Sequence, residues 1–404
     1  MTHKRVETIC ICFAAALLSA TSASAGGFAL REQSAKGQGS SFAGVAAGSA
    51  GLSSLFWNPA ISAEYNEFGF ISESNASLIV PYSESELPGA GNDSGNVGVL
   101  GLVPASYYSY AINDQLTIAA AIAAPLGMTT DATNTWAGAL HGDKSSVRTY
   151  NFNPTASYKV NDWIALGLGA QIEYMTLDMD SRIPGIGTKF ADIEADSVGF
   201  GLTAGVLLTP ADGTSIGLGF RSSISHTLKG KGFTAFPSPI LNAPGSAMQG
   251  EFDSPELVTL GLSQQVTDQL KVMAGVEWSN WSRFKELRIH SPGGDLFTPE
   301  NWKDGWFVSA GAEYAYSDVL DLRAGVAYEK SPVPDATRTP RIPDNDRYWL
   351  SLGASYKFAE NMTAHLAYSH VFMDDGDINI TPPPLVASFE QHIDIVSLGL
   401  TRDW

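Results

Sequence analysis

The sequence predicts an all-β protein: a 14-stranded antiparallel transmembrane β-barrel with an N-terminal hatch (plug) inside the lumen. Three observations lead there. An export signal precedes a chain with no long apolar run, two-residue alternation recurs along that chain, and the connections alternate between very short and long. Of the 404 residues 16% are charged and 44% hydrophobic, and 24 basic against 42 acidic residues give a net charge of -18. That charge content falls short of the roughly 25% of soluble domains. The acidic balance argues against a nucleic-acid partner, whose phosphates need a basic field. The apolar and aromatic content argues against disorder.

Residues 1–25 read as a signal peptide. Lys4 and Arg5, partly offset by Glu7, precede an apolar core from Ile9 to Leu18 and the small-residue cleavage site Ala23-Ser24-Ala25. The core is too short to span a bilayer as a helix. Two basic and one acidic residue leave with this segment, so 22 and 41 remain and the net charge becomes -19. Cys10 and Cys12 leave too, which predicts an exported chain without disulfides or thiol chemistry.

Residues 26–65 form the expected hatch. The stretch opens on Gly26-Gly27-Phe28-Ala29-Leu30, continues with Ser, Gly and Ala at short intervals, and closes on Phe56-Trp57-Asn58-Pro59-Ala60. Small residues permit close chain packing, and the stretch lacks the charge of a free linker. Asn58-Pro59-Ala60 reads as a rigid turn, because Asn bonds its own backbone and Pro fixes the next dihedral. We expect it to hold the hatch against the wall.

Residues 66–404 carry the barrel. Val396, Leu398 and Leu400 fall on one side of the last segment, with Ser397, Gly399 and Thr401 on the other. Residues 163–177 are apolar at nearly every second place, with small or polar residues between. Fourteen such segments lie near 67–80, 96–110, 115–127, 146–159, 162–177, 193–208, 214–225, 250–265, 269–281, 302–316, 319–329, 345–358, 362–373 and 390–404. Asn113-Asp114, Asn161-Asp162, Ala211-Asp212-Gly213, Thr267-Asp268, Ser317-Asp318 and Glu360-Asn361 mark tight turns. An even strand number, tight turns on one rim and long loops on the other are what an outer-membrane barrel requires. Strands of 9–11 residues suffice to cross the apolar layer, and closure satisfies every backbone edge. Tyr107, Tyr108, Tyr110, Tyr158, Trp163, Tyr314 and Tyr316 suit a headgroup girdle, and Trp404 supplies a terminal aromatic.

On these features the sequence resembles the FadL-type outer-membrane transporters of long-chain fatty acids and hydrophobic compounds (OMPP1/FadL/TodX). The N-terminal match comprises Gly27 to Ser34, Gly37-Gln38-Gly39, Phe42-Ala43-Gly44 and Asn58-Pro59-Ala60. The second block runs from Leu322 to Tyr328, through Ser331-Pro332-Val333 and Ile342 to Arg347, to Leu352–Tyr356 and Ala367-Tyr368-Ser369-His370. The resemblance implies passive uptake of long-chain fatty acids or other hydrophobic compounds, released laterally through a wall opening near the third strand. Aromatic hydrocarbons or alkanes by the same route are the alternative, and a polar-solute porin a more distant one. It implies the outer membrane of a Gram-negative bacterium, with outer-membrane lipid and lipopolysaccharide around the wall. Periplasmic chaperones and the barrel-assembly machinery are the expected biogenesis partners, and a monomer the expected state. No enzyme, cofactor or metal is expected: His141, His226, His290, His365, His370 and His392 lack metal-motif spacing, and no phosphate loop appears.

Site residues follow from the same reading. Phe28 and Leu30 are expected to line an internal pocket, with Arg31 and Glu32 anchoring the hatch. Pro125 cannot donate to a ladder and Gly127 weakens one, so with Pro104 in the neighbouring segment they mark the lateral opening. Loops 178–192 and 226–249 carry Met179, Ile183, Pro184, Ile186 and Phe190, then Leu228, Phe233, Phe236, Pro237, Ile240 and Leu241. Exposed apolar clusters mark binding surfaces, and the resemblance makes these loops a capture groove. A buried anionic head group needs a charged or hydrogen-bonding partner. Arg148, Arg221, Lys271, Arg323, Lys330 and Arg347 are the basic residues on or beside strands. Arg323 alternates onto the lumen side with Asp321, making it the first candidate for head-group contact, ahead of Arg148 and Arg347.

Overall fold

The computed structural model describes residues 26–65, 69–89, 93–133, 136–234, 244–381 and 384–404; the expected signal 1–25 lies outside them. Among the described residues twenty strand segments make one closed antiparallel sheet. They are β1 (Phe70–Glu86), β2 (Gly101–Ala111), β3 (Leu116–Ala123), β4 (Gly127–Asp131), β5 (Lys144–Asn161), β6 (Ile164–Arg182) and β7 (Lys189–Ala211). Next come β8 (Thr214–Arg221), β9 (Ser225–Thr234), β10 (Ser246–Asp253), β11 (Leu257–Gln265), β12 (Leu270–Ser279), β13 (Glu286–His290) and β14 (Leu296–Pro299). The rest are β15 (Gly305–Ser317), β16 (Leu320–Lys330), β17 (Arg347–Ala359), β18 (Met362–Met373), β19 (Gly376–Ile380) and β20 (Leu385–Asp403).

Fourteen wall strands result. The third is β3 with β4, the seventh β8 with β9, the eighth β10 with β11, the ninth β12 with β13, and the thirteenth β18 with β19; β14 is an extra strand on β13. The register Ile71↔Asp403 through Glu86↔Ser388 closes the ring. Six tight turns share the rim where Trp404 N–H donates to the Phe70 carbonyl (3.1 Å). Short turns mark the periplasmic end.

Alternation sets the faces. Leu168, Leu202, Leu260, Val326, Leu352 and Leu398 project outward on the wall, with Tyr110, Tyr158, Trp163, Tyr314 and Tyr316 exposed toward the short-turn rim. Tyr107 departs from the girdle expectation. It is buried in the lumen, where its hydroxyl donates to the Gln33 carbonyl (3.0 Å). Odd-numbered residues of β2 face inward, so Tyr107 and Tyr110 belong to opposite faces.

Residues 26–65 fill the lumen with one short helix, α1 (Ala35–Gln38), and three 3₁₀ turns, Val45–Ala47, Gly51–Phe56 and Pro59–Tyr65. None is long enough to be stable alone, and the wall holds them. Ser34 caps α1 by accepting from Gly37 N–H (3.0 Å), while Asn75 accepts from Ala35 N–H (2.9 Å) and Glu73 from Ser53 N–H (3.2 Å). A belt of lumen-facing strand glycines admits the hatch backbone. Gly167 pairs with Gly205, Gly205 with Gly219, and Gly217 with Gly261. A Cβ on Gly217 would lie 1.7 Å from the Ala46 carbonyl oxygen, and one on Gly219 equally close to that of Trp57.

Wall breaks distinguish this barrel from an even cylinder. The segment expected at 250–265 is interrupted at 254–256, and the ninth strand is interrupted after Ser279 by a 3₁₀ turn, Trp281–Arg283. Pro255 has no N–H for a ladder, and Ser254 instead bonds the broken seventh strand through Ile224 N–H to its Oγ (2.9 Å). Much of the connections expected at 178–192 and 226–249 is strand: β6 runs to Arg182, β7 starts at Lys189, and β9 covers Ser225–Thr234.

Candidate functional site

The third wall strand fails to pair at one place. β2 pairs with β3 only from Ser106↔Ile122 to Ala111↔Thr117, and β4 pairs with β5. Among the described residues Gly101–Ala105 therefore have ladder partners on β1 alone. Ala111 N–H points to Gly69 on the β1 side (2.9 Å) and Ile112 N–H to Leu116 on the β3 side (2.9 Å). Backbone alternation then directs the nitrogens of even-numbered residues at the third strand. Pro104 thus lacks a donor on the seam-facing edge, while Pro125 and Gly127 flank the break itself.

The start of the hatch occupies that missing position. Leu30 N–H donates to the Pro125 carbonyl (2.8 Å) and Gly127 N–H to the Phe28 carbonyl (2.9 Å), with Ala29 bridged to Leu126. Gln33 completes the clamp: its amide donates to the Ala124 carbonyl (2.8 Å) and accepts from Ala124 N–H (3.3 Å). A three-residue stretch of the plug thus stands where β2 would continue the ladder.

Beside this seam lies a cavity that, counted together with the solvent space at its mouth, spans about 760 Å³. The breaks in the third, seventh, eighth and ninth strands all reach it, through Pro125 and Leu126, Ser222 and Ile224, Ser254 and Pro255, and Trp281. Leu30, Phe56, Trp57 and Phe307 supply apolar surface. Phe28 packs next to it in an aromatic cage, with ring centroids 4.9 Å from Trp281, 5.4 Å from Phe252 and 5.7 Å from Trp302.

Two guanidinium groups line the cavity. Arg31 pairs with Glu277 (2.9 Å) and Glu329 (3.4 Å) and lies 3.7 Å over the Phe307 ring. Arg221, 4% exposed, differs. It donates to the Phe56 carbonyl (3.0 Å), Gln171 (2.5 Å) and Asn151 (3.4 Å), all neutral acceptors, and lies 4.3 Å over the Phe56 ring. The nearby Glu173 is engaged by His226 (3.1 Å) and Asn151 (2.9 Å). In the hatch, burial raises the Glu32 carboxyl to about 7, and its Oε2 has no hydrogen-bond partner.

The other expected residues distribute as follows. Asn58 bonds the Ala46 (2.7 Å) and Val206 (3.0 Å) carbonyls and accepts from Ala60 N–H (3.0 Å), and a Cβ on Gly167 would lie 2.3 Å from Ala60 N. Arg323 faces the lumen but does not line the cavity. It is bound to Glu313 (2.6 Å) and Ser355 (2.6 Å), three residues above a periplasmic turn. Arg148 alternates with the inward Val147 and Thr149, so it lies on the outer face opposite Gly127. Arg347 is buried against Asp344 and 3.7 Å from Glu329, beside a second, smaller cavity.

Of the capture-groove residues, Met179 and Leu228 pack inward with Met175, Val147 and Phe252. Ile183 sits in a turn, Ile186 stands 72% exposed at its tip, and Phe190 and Phe233 are partly buried on β7 and β9. Phe236, Ile240 and Leu241 lie outside the described residues. Gln33, Glu173, Glu277, Glu329, Trp281 and Trp302 escaped the sequence reading. The available signal was ionisable residues at inward positions of otherwise apolar strands. Among the described residues no group of three His, Cys, Asp or Glu is placed to hold a metal.

Comparison with known proteins agrees with this geometry. A family profile described as outer membrane protein transport protein (OMPP1/FadL/TodX) matches residues 16–388. A long-chain fatty acid transport protein of Salmonella typhi is 28% identical, over 95% of each chain. Outer membrane protein P1 of Haemophilus influenzae is 27% identical over 88% of each. A Pseudomonas aeruginosa FadL homologue superposes with a TM-score of 0.85 at 23% identity, over 93% of this chain and 99% of that one. The Pseudomonas putida toluene transporter TodX gives 0.71 at 15% identity, over 94% of this chain and 100% of that one.

Proposed function

The chain belongs to the OMPP1/FadL/TodX family of outer membrane transport proteins, and from that premise we propose that it carries long-chain fatty acids and releases them sideways into the membrane. At the family level it is a Gram-negative outer-membrane barrel for passive uptake of hydrophobic compounds, and not an enzyme. The observation that carries the fatty-acid reading is Arg221. It is a buried guanidinium on the wall of a cavity lined by both apolar and charged side chains, and all its hydrogen-bond acceptors are neutral. Among the described residues no carboxylate hydrogen-bonds Arg221 directly, and a ligand carboxylate would take that place through charge-assisted bonds. The relatives named for long-chain fatty acids point the same way.

Transport needs no energy source in this reading. Burying each CH₂ of the ligand is worth about 0.8 kcal/mol, so an apolar cavity draws the chain from the outer surface. The exit is the unpaired interval between β2 and the third strand. When residues 28–30 leave Pro125 and Gly127, that interval joins cavity to lipid. The exposed Ile186 at the tip of the β6–β7 connection would be the first apolar contact on the outside.

The aromatic cage around Phe28 favours a second reading, a compact hydrocarbon ring stacked among Trp281, Phe252 and Trp302. Arg221→Leu separates the two. With oleate and toluene binding measured side by side, we expect oleate affinity to fall at least tenfold and toluene affinity to hold. Equal losses would make Arg221 structural, unchanged oleate affinity would remove Arg221 as the head-group partner, and a native barrel that does not bind oleate would remove the fatty-acid reading.

A further inference from the structure

We propose that the α-ammonium group of Gly26, generated by removal of residues 1–25, is a working part of the cavity: it pairs with Glu329 and supplies the positive charge that lets the cavity accept an anionic ligand. The inference rests on the fatty-acid reading for its ligand arm and on cleavage after Ala25 for the amine.

Geometry places the amine. Gly26 lines the cavity and is buried. A Cβ built on it would lie 3.0 Å from Glu329 Oε1, and a backbone nitrogen is about 2.5 Å from its own Cβ. The amine nitrogen therefore lies no more than about 5.5 Å from that carboxylate oxygen. The next residue is fixed: Gly27 N–H donates to Asp344 Oδ2 (2.8 Å), and with φ 71 a Cβ there would meet Trp302 at 2.4 Å. The segment is thereby anchored one residue from its amine.

Charge supplies the second argument. Around the cavity and the hatch start stand five buried carboxylates, Glu32, Glu173, Glu277, Glu329 and Asp344, against three buried guanidinium groups, Arg31, Arg221 and Arg347. A fatty acid would add a sixth negative charge to a site already in acid excess. With the Glu32 proton retained, four carboxylates still face three guanidinium groups, with only the imidazole of His226 beside Glu173 (3.1 Å) to set against the fourth, and like charges in a low-dielectric site are strongly unfavourable. An α-ammonium at Gly26 offsets it at the carboxylate that Arg31 approaches only at 3.4 Å and Arg347 at 3.7 Å. The charged groups around the hatch start are Glu329, Arg31, Glu277, Asp344 and Arg347, with Lys330 and Asp346 paired to each other (2.9 Å).

The test uses the full mature barrel. Mass spectrometry of the membrane-purified protein must give a chain beginning at Gly26; another start overturns the proposal. The amine is then dimethylated with ¹³C-formaldehyde and borohydride, which keeps its charge, and titrated by NMR. Pairing with Glu329 should hold its pKa at least half a unit above the roughly 7.7–8.0 of a free α-amine, and Glu329→Gln should remove that elevation. A free value unaffected by Glu329→Gln refutes the ion pair, whether or not oleate binds. A chain carrying two extra glycines before Gly26, which leaves every barrel residue in place, guards against misfolding of Glu329→Gln. It should show the free value.

The ligand arm compares the native barrel with one whose amine has been transaminated to a carbonyl. Oleate affinity should fall about tenfold and octadecanol affinity should hold; equal affinities for oleate in both forms would contradict the role in ligand charge. Failure of the native barrel to bind oleate would count against the fatty-acid reading, while the titration still decides the ion pair.

Discussion

Replacing Gln33 by alanine should loosen the plug from the wall break without disturbing the barrel. Gln33 is fully buried and holds both polar groups of Ala124, donating at 2.8 Å and accepting at 3.3 Å. Truncation leaves a buried N–H and a buried C=O without partners, at about 1–3 kcal/mol each. Taking a combined value of about 3 kcal/mol, and about 1.4 kcal/mol per factor of ten, the detached state gains roughly a hundredfold in population. The assay is amide exchange at Leu30 and Gly127, whose N–H groups bond Pro125 and Phe28. Both should exchange about a hundredfold faster in Gln33→Ala, while amides of β16 and β17 keep their rates. A change below threefold at Leu30 and Gly127 would refute the claim that Gln33 couples the hatch to the break.

Two further predictions test other joints. Gly217→Val places side-chain atoms where a Cβ alone lies 1.7 Å from Ala46 O; we expect a barrel that still shows heat-modifiable migration but whose residues 26–65 become protease-sensitive and whose single-channel conductance rises, and an unchanged digestion pattern would count against the glycine belt as the hatch seat. Glu32 is raised from 4.5 to about 7 by burial, so its contribution is fully present below about pH 4.5 and lost as pH rises through 7. The loss amounts to ~3 kcal/mol. Hatch exchange, corrected for intrinsic rates, should therefore accelerate between pH 5 and 8 in the native protein and much less in Glu32→Gln; parallel profiles would show that Glu32 does not carry the dependence.

The sequence made the wall legible because alternation, tight turns and chain length are local properties. Val396, Leu398 and Leu400 do lie on the outer face, and Arg323 does face the lumen. Pro125 and Gly127 flagged the interruption of the third strand for a local reason too, the missing donor and the missing side chain. What the break pairs with was not legible, since Leu30 and Pro125 meet only after the chain has closed on itself. Pairing also decided the charged residues. Nothing local separates Arg221 from Arg323, yet one has Glu313 beside it and the other has only neutral acceptors. Likewise Leu228 reads as a loop residue between the segments expected at 214–225 and 250–265, while in the folded chain it alternates inward on β9.

The most direct test of side-exit transport is to tie the seam shut. With both natural cysteines confined to 1–25, cysteines introduced at Leu102 on β2 and Met128 on β4 can be bridged by a reducible bifunctional reagent, and oleate uptake measured in cells before bridging, after it and after reduction. The account predicts that bridging abolishes uptake and that reduction restores it, with oleate binding to the purified barrel unchanged throughout. Undiminished uptake through a bridged seam would contradict it.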